Sequence, residues 1–297
     1  MSADDLISVL IPAYNHERYV EESVRSIMAQ TYQNIELIVM DDGSTDGTFA
    51  KLQELKPECE KRFARVVMIQ AAHNGVIKNL NEMIDVAEGE FIYSLASDDV
   101  SKPRAIEILH GFLSENPDYV LAVGDDEIIN GASERIYWDK NRKTVPESEA
   151  VYKTFGDDMH INGDNNAHAD FGSYEDLLRG NYLPNGFLVR KKACCDAGKY
   201  DPDMICEDWY MNLQLAKLGK FKYIPEILFS YRWHETNTVS SSDYQAKGLE
   251  IYRRIYEHEK EYCFAHGYEK LWKRMWSRRF GWRAKWKGLK AFLRGKK

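Results

Sequence analysis

The first 124 residues alternate short runs of apolar and β-branched residues with stretches whose apolar residues recur at helical spacing. This alternation is typical of βα units and predicts an α/β fold with a mostly parallel sheet flanked by helices. The predicted strands cover residues 6–11, 35–40, 66–69, 91–95 and 119–123. The predicted helices cover residues 17–30, 48–55, 76–87 and 104–115. The arrangement is Rossmann-like, but no G-x-G-x-x-G motif follows the first strand, so dinucleotide binding of that kind is not expected.

Residues 125–176 lose this periodicity and are rich in Asn, Gly, Asp and His. Because a loop of this length inside a folded chain is usually functional or disordered, we expect an irregular segment here. Regular structure is predicted to resume with "CEDWYMNLQLAKLGKFKYIPEILFSYRWH", which indicates a helix followed by a strand.

The composition and the N-terminus indicate a globular, cytoplasmic protein. The 297 residues are 44% hydrophobic and 29% charged, which is ordinary for a soluble fold. The apolar run Leu6–Ile11 follows acidic residues and is too short for a signal peptide or a membrane span. The five cysteines are scattered and odd in number, which favours reduced thiols over disulfides or a zinc site.

The C-terminal residues 269–297 differ from the rest of the chain in charge. They hold twelve Lys or Arg and one Glu, which is a local net charge of +11. Because the whole chain has a net charge of −7, the remaining residues have a net charge of −18. If this segment is helical, one face carries Leu271, Met275, Trp282, Trp286, Leu289 and Leu293. A basic, tryptophan-rich amphipathic helix favours a membrane surface. The alternatives are packing on the domain, a dimer contact and, less favoured by the tryptophans, nucleic-acid binding.

Acidic residues follow the predicted strands at the edge where ligands bind in α/β sheets. The sequences after the first, second and fourth strands are "PAYN", "DDGSTDGT" and "SDD". Asp98 and Asp99 are neighbours and repel each other unless a cation or hydrogen-bond donors balance them. Magnesium or manganese commonly bridges such carboxylates to nucleotide phosphates. The alternative for any single acid is a helix cap or a turn, which we favour for Ser44, Asp46 and Gly47.

Five segments resemble, in the right order, the inverting family 2 glycosyltransferases. The first and longest is "ISVLIPAYNHERYVEESVRSIMAQTYQNIELIVMDDGSTDGT". The others are "NGVIKNLNEMIDVAEGEFIYSLASDD", "CEDWYMNLQLAKLG", "IPEILFSYRWH" and, as the weakest part, the middle loop of residues 125–176. The resemblance covers roughly the first 235 residues. It implies the GT-A fold, to which the chain adds a C-terminal helical basic and aromatic extension.

The resemblance also implies a division of the chain. Residues 1–124 would form the half that binds the nucleotide-sugar donor, and residues 125–240 the acceptor-binding half of the same GT-A domain. Residues 241–297 would form the helical extension, which we expect to associate with a membrane.

The resemblance implies a set of donor-binding residues. Those for the nucleotide are Pro12, Tyr14, Asn15, Glu17, Asp42, Asn81 and Asp98. Tyr14 would offer a ring face to the base, and Asp42 would accept a hydrogen bond from uracil N3–H. For the cation we favour Asp99, with Asp98 at the ribose or as a second ligand and His234 reaching the metal or the diphosphate. A purely structural His234 is the alternative. The chain departs from the commonest family pattern at Ala96, where many relatives carry Asp, and at His73, where they carry Asn.

On the acceptor side, "CEDWY" resembles the family's ED motif. An inverting transfer needs a carboxylate that takes the proton of the attacking hydroxyl. Asp208 is the first choice for this catalytic base and Glu207 the second. The alternative is that both are first-turn acids favoured by the helix dipole. Asn185 and Gly186 would line the acceptor and sugar pocket.

Together these features predict a metal-dependent hexosyltransferase using a UDP-sugar, with manganese or magnesium as cofactor. The acceptor would be a glycan hydroxyl on a lipid-diphosphate carrier, as in polysaccharide synthesis, at the inner face of the cell membrane, with no nucleic-acid partner. The alternatives are a nucleotidyltransferase, which lacks support because "PAYNHERY" is not a glycine-rich phosphate loop, and a non-catalytic sugar- or nucleotide-binding module.

Overall fold

The computed structural model describes residues 5–162, 171–235, 237 and 242–281. Its strands are β1 Ile7–Ala13, β2 Ile35–Asp41, β3 Arg65–Gln70, β4 Phe91–Ser94, β5 Val100–Ser101, β6 Tyr119–Ile129, β7 Arg135–Trp138, β8 Thr144–Val145, β9 Leu188–Arg190 and β10 Lys220–Arg232. Its helices are α1 Val20–Met28, α2 Thr48–Arg62, α3 Val76–Val86, α4 Ala105–Glu115, α5 Phe155–Asp158, α6 Tyr174–Leu177, α7 Lys191–Asp196, α8 Glu207–Ala216, α9 Ser242–Ala246, α10 Gly248–Ala265 and α11 Glu269–Phe280.

One sheet runs through both sequence halves. Its strand order is β3-β2-β1-β4-β9-β6-β10-β5, with β7 paired to β6 and β8 to β7. The strands β3, β2, β1 and β4 are parallel to one another, and β6 is parallel to β10. The short strand β9 lies antiparallel between β4 and β6. Because β9 joins them, the predicted donor and acceptor halves share one continuous sheet.

Apolar side chains cover both faces of this sheet. Val9 belongs to one hydrophobic cluster and the adjacent Leu10 to the other, since successive strand residues point to opposite faces. Helices α1, α2 and α4 pack on the first face, and α3, α8, α10 and α11 on the second. Every residue of β2 is buried, as in a parallel strand covered on both sides. Burying each large apolar side chain contributes roughly 1.5–3 kcal/mol.

The predicted strands and helices of the first 124 residues are confirmed, although α1 is shorter than predicted and α2 is longer. Helix α2 does not end at Leu55 but continues through Pro57 to Arg62, because its buried face extends to Cys59. The prediction of an irregular segment over residues 125–176 is wrong in part. Strand β6 extends to Ile129, and the pairs β6–β7 and β7–β8 follow. Asp125, for example, accepts hydrogen bonds from Gly156 N and Asn162 Nδ2 inside the fold. Residues 163–170 of the segment lie outside the described residues.

The described part of the C-terminal extension is mostly helical, and its last helix, α11, ends at Phe280. Helix α11 packs on α10, and Trp272 Nε1 donates a hydrogen bond to the Tyr256 carbonyl at 2.7 Å. Leu271 and Met275, part of the predicted apolar face, are buried against the core. The other members of that face, Trp282, Trp286, Leu289 and Leu293, lie outside the described residues. Among the helices that the structure describes, none has the length and apolar character needed to cross a membrane.

Candidate active site

The candidate site lies where the strands β1, β2, β4, β6 and β10 end, which we call the carboxyl edge. Tyr14 and His16 follow β1, Asp42 follows β2, and Asp98 and Asp99 follow β4. This is the edge where open α/β sheets bind ligands. Helix α8 precedes β10, which runs parallel to β6, so the first turn of α8 lies at the same edge.

Tyr14 and Asp42 flank the loop before α3. The Tyr14 side chain is 43% exposed, and its ring stacks on His73 with centroids 4.8 Å apart. The buried Asp42 Oδ1 accepts hydrogen bonds from Asn74 N at 2.7 Å and from Asn79 Nδ2 at 2.7 Å. His73, the departure from the family pattern, therefore adds an aromatic surface beside Tyr14. Pro12 lies half-buried in β1, and its predicted contact with the base stays a prediction.

Asn15 and Glu17 hold the loop between β2 and α2. Thr45 N donates to Asn15 Oδ1 at 2.9 Å, and Gly47 N donates to Glu17 Oε2 at 3.0 Å. Asp46 accepts from Thr48 N at 3.0 Å, which is the turn-forming role that we favoured for it. The side chains of Asn15 and Glu17 thus already have structural partners, and their nucleotide contacts stay predictions.

Asn81 connects α3 to the segment before α8. Its Nδ2 donates to the Tyr200 carbonyl at 2.8 Å, and its Oδ1 accepts from Tyr200 N at 2.9 Å. The side-chain nitrogen and oxygen of Asn81 are therefore both hydrogen-bonded to the backbone of Tyr200. The predicted contact of Asn81 with the nucleotide stays a prediction, while the neighbouring Asn79 is the amide that reaches Asp42.

Asp98 lies between two histidines. Its Oδ2 is 2.9 Å from His234 Nε2 and 3.8 Å from His16 Nε2. Burial alone would raise the pKa of Asp98, but the hydrogen bond from His234 and the charge of His16 outweigh it and lower the pKa. Within the described ranges, His16, Asp98 and His234 form the one group of three potential metal ligands whose ligand atoms all lie within 4.8 Å of one another.

Asp99 is engaged elsewhere. Its Oδ1 accepts a hydrogen bond from Arg232 N at 2.8 Å. Complete burial raises its pKa well above the usual range, and the charges of Asp98 and Asp126 add to this effect. The structure therefore brings Asp98 and His234 together, while Asp99 is bonded to the Arg232 backbone. Which of the two acids holds a cation stays a prediction.

Arg232 is a site residue that the sequence analysis missed. Its guanidinium is fully buried and donates to Glu22 Oε2 at 2.7 Å, to the Asn130 carbonyl at 3.0 Å and to the Asp98 carbonyl. It also lies 4.8 Å from the centre of the Tyr19 ring. An arginine at the end of a strand is usually exposed, so its sequence position gave no indication of this role.

The two acids of the ED motif begin α8. Asp208 is exposed, and its Oδ2 accepts from Asn181 Nδ2 at 2.8 Å while its Oδ1 accepts from Trp209 N at 2.7 Å. Glu207 is half-buried. Burial, followed by the charge of Asp208, raises the pKa of Glu207 to about 7.

Asn185 and Gly186 form the turn before β9 beside a second missed residue, Asp126. Asn185 N and Nδ2 donate to Asp126 Oδ2 at 2.9 Å and 3.1 Å. Burial raises the pKa of Asp126 well above its usual range, and its Oδ1 has no hydrogen-bond partner among the residues described. Gly186 has a φ of +63°, and a Cβ atom there would lie 2.0 Å from Phe229 Cδ2.

The family description Glycosyl transferase family 2 matches residues 8–177, more than half of the chain. The chain belongs to this family. An uncharacterized glycosyltransferase of Haemophilus influenzae is 32% identical to this family 2 chain over 240 residues, which are 79% of this chain and 68% of that protein. Glycosyltransferase GlyA of Streptococcus pneumoniae is 26% identical over 242 residues, 78% of this chain but 31% of GlyA. Chondroitin synthase of Pasteurella multocida is 26% identical over 246 residues, 82% of this chain and 22% of the synthase. The family 2 chain therefore spans about a third or less of these two longer relatives.

Solved structures agree with the predicted GT-A fold of the family 2 chain. Staphylococcus aureus TarS 1–349 in complex with UDP-GlcNAc has a TM-score of 0.61 at 19% identity, over 84% of this chain and 65% of that one. The mannosyltransferase PcManGT of Pyrobaculum calidifontis, in complex with GDP-Man and Mn²⁺, has a TM-score of 0.59 at 14% identity, over 87% of this chain and 64% of PcManGT. At these identities the likeness is one of fold.

Proposed function

We propose that the protein is an inverting hexosyltransferase that moves a sugar from a UDP-sugar to a hydroxyl of a glycan acceptor. One observation carries this proposal: the carboxyl edge collects an exposed aromatic face, a hydrogen-bonded carboxylate–imidazole pair and an exposed carboxylate from separate elements. Tyr14 contributes the first, Asp98 and His234 the second, and Asp208 the third. The complexes of TarS with UDP-GlcNAc and of PcManGT with GDP-Man support a nucleotide-sugar donor.

On the donor side, Tyr14 and the stacked His73 would bind the base, and Asp42 would accept from uracil N3–H. Asp98 and His234 offer a carboxylate oxygen and an imidazole nitrogen where the diphosphate would lie, a donor set that suits a divalent cation such as manganese. When bound, such a cation stabilises the negative charge that develops on the leaving diphosphate. The Mn²⁺ in the PcManGT complex supports this cofactor.

On the acceptor side, Asp208 is the proposed base. The acceptor oxygen attacks the anomeric carbon from the face opposite the phosphate, its proton passes to Asp208, and the bond from the anomeric carbon to the UDP oxygen breaks. Attack from the opposite face inverts the configuration. The hydrogen bonds from Asn181 and from Trp209 N hold the carboxylate in place for this role.

For the acceptor we propose a lipid-linked glycan at the inner face of the cell membrane, in the synthesis of a cell-surface polysaccharide. The relationship to chondroitin synthase supports polysaccharide synthesis. The charge of +11 in residues 269–297 supports contact with anionic lipid.

The test is release of UDP from a panel of UDP-sugars with manganese. We expect Asp208→Asn to lower turnover by at least about 100-fold, because a general base contributes 10²–10⁴-fold, while UDP binding is unchanged. Asp203→Asn, an exposed acid nearby, is the matched control and should retain full rate. Unchanged turnover in Asp208→Asn would contradict the assigned base. Pyrophosphate release would indicate a nucleotidyltransferase, and UDP binding without turnover a binding module.

A further inference from the structure

His16 lies next to the proposed cation ligands but belongs to neither of the predicted sets of site residues. It follows β1 and precedes α1, and its backbone is fixed at both ends. His16 N donates to Thr48 Oγ1 at 2.9 Å, and the His16 carbonyl accepts from Tyr19 N at 2.9 Å. The position of the imidazole is therefore set by two helices and a strand.

The ring of His16 is oriented like that of a metal-ligating histidine. Its Nδ1 lies 2.8 Å from Ser97 Oγ, and its Nε2 points toward Asp98 Oδ2 at 3.8 Å. In metal sites the nitrogen away from the ion is usually bonded to a neighbouring polar group, which fixes the ring and leaves the other nitrogen for the ion. The His16 side chain is 21% exposed, so an ion can reach it from solvent.

The local supply of carboxylates is small. Ala96 offers no ligand, and Asp99 is turned to Arg232 N. Asp98 is therefore the one carboxylate in the group, and the two other ligand atoms are imidazole nitrogens. Magnesium prefers oxygen ligands, whereas first-row transition ions accept imidazole.

We propose that His16 is a third protein ligand of the cation held by Asp98 and His234, and that the two imidazoles make the site bind Mn²⁺ in preference to Mg²⁺. The inference rests on the proposed function in one respect, because both assume that a cation binds at the carboxyl edge. His16 would supply a ligand in place of the Asp that many relatives carry at the position of Ala96. Without the ion, His234 Nε2 and Asp98 Oδ2, the two proposed ligand atoms, are hydrogen-bonded to each other. When the cation binds, it takes the place of the shared proton.

The experiment measures metal binding rather than turnover. Mn²⁺ alone is titrated into the full-length protein, and pulsed electron paramagnetic resonance detects nitrogen nuclei bonded to the manganese. For the wild type we expect coupling to two imidazole nitrogens and at least tenfold tighter binding of Mn²⁺ than of Mg²⁺. His16→Asn keeps a group that can bond Ser97 but removes Nε2. It should lose one nitrogen coupling and weaken Mn²⁺ binding by about tenfold or more.

Two further variants keep the test decisive. His258→Asn changes an exposed histidine on α10 and should bind Mn²⁺ like the wild type. Ser97→Ala leaves the His16 ring in place without its hydrogen bond, and we expect a weaker Mn²⁺ affinity with both couplings retained. Ser97→Ala provides the affinity readout if His16→Asn fails to fold, as judged by circular dichroism.

Two results would overturn the inference: a His16→Asn protein with the wild-type nitrogen coupling and affinity, or equal binding of Mg²⁺ and Mn²⁺ by the wild type. The outcome is separable from that of the proposed function. If the nitrogen couplings are found but no UDP-sugar is consumed, the ligand assignment stands and the transferase proposal fails. If sugar transfer is found but His16→Asn binds Mn²⁺ unchanged, the transferase proposal stands and His16 is not a ligand.

Discussion

Glu207 and Asp208 are adjacent in the chain but have different surroundings. Asp208 is exposed and accepts hydrogen bonds from Asn181 and Trp209 N. Glu207 is half-buried beside it, and the raised pKa of about 7 reflects burial first and the Asp208 charge second. At neutral pH, Asp208 is therefore the better placed of the two to interact with a substrate from solvent, which supports its choice as the base.

The raised pKa of Glu207 makes folding stability depend on pH. Between its ordinary value of 4.5 and about 7, the folded state binds a proton that the unfolded state releases. The stabilisation is present in full below pH 4.5 and is lost as the pH rises through 7. Glu207→Gln removes this loss, so at pH 8 the variant should be more stable than the wild type by about 1–3 kcal/mol. At pH 5 the difference should be much smaller.

Urea unfolding at pH 5 and pH 8 checks this prediction. Glu54→Gln, an exposed glutamate in α2, is the control and should show the same small effect at both values. The assigned titration is wrong if the stability difference between Glu207→Gln and the wild type is the same at pH 5 and pH 8.

Individual site residues differ in how well the sequence predicts them. Asp98 and Asp208 stand in short motifs, so their positions could be predicted without knowing the fold. Arg232 and Asp126 could not, because each is a charged residue inside a strand and is satisfied by a distant part of the chain. Arg232 bonds Glu22, and Asp126 bonds Asn185. Pattern-based analysis places such residues on the surface.

At the scale of single elements, the turn before β9 depends on one glycine. Gly186 has a φ of +63°, and a Cβ there would overlap the Phe229 ring of β10. Gly186→Ala should lower the free energy of unfolding by at least about 2 kcal/mol, since a left-handed non-glycine residue alone costs roughly 1–3 kcal/mol. The turn carries Asn185, so its contact with Asp126 should weaken too.

Gly248→Ala is the matched control for this prediction. Gly248 is the first residue of α10, and a Cβ there meets no atom within 4 Å. Alanine should leave stability unchanged or raise it by up to about 1 kcal/mol. Thermal unfolding compares the melting temperatures of Gly186→Ala and Gly248→Ala. Equal melting temperatures of the two variants would contradict the steric argument.

The ends of helices and strands could be predicted where the apolar periodicity is strong. They could not be predicted where contacts with distant parts of the chain determine where an element ends. The sequence predicts α3 within one residue because its buried positions repeat regularly. The continuation of β6 through Asp125 was not predicted. Asp125 Oδ1 accepts from Gly156 N at 2.8 Å and its Oδ2 from Asn162 Nδ2 at 2.9 Å, and no local pattern shows those partners.

At the scale of the whole molecule, charge is distributed unevenly along the chain. Residues 282–297 hold seven Lys or Arg and no acid. We expect removal of these residues to abolish most binding to vesicles containing anionic phosphatidylglycerol, because each basic residue near such a surface contributes about 1 kcal/mol. The packing of α11 on α10 should remain, since Leu271, Trp272 and Met275 belong to the same hydrophobic cluster as the buried residues of α10.

Cosedimentation with vesicles at low and high salt measures this effect. Vesicles of neutral phosphatidylcholine are the control and should bind both forms weakly. Equal binding of the full and shortened chains to anionic vesicles would refute the membrane role. A change in sedimentation of the protein alone would indicate a dimer contact instead.

The overall fold was more predictable than the position of the extension. Five segments in order were enough to predict the GT-A fold. The apolar face of residues 269–297 favours lipid, with packing on the domain as an alternative, and Leu271 and Met275 pack on the domain. An apolar helical stripe has the same pattern whether it meets lipid or protein, so only the folded chain distinguishes the two at these positions.

The contacts of Arg232 also order events during protein synthesis. This side chain joins Glu22, Asn130 and the Asp98 carbonyl, which emerge from the ribosome long before it. The backbone N–H of Arg232 completes the environment of Asp99, and His234 follows two residues later. A nascent chain that stops short of residue 234 lacks both Arg232 and His234, so the proposed cation site cannot assemble until these two residues have left the ribosome.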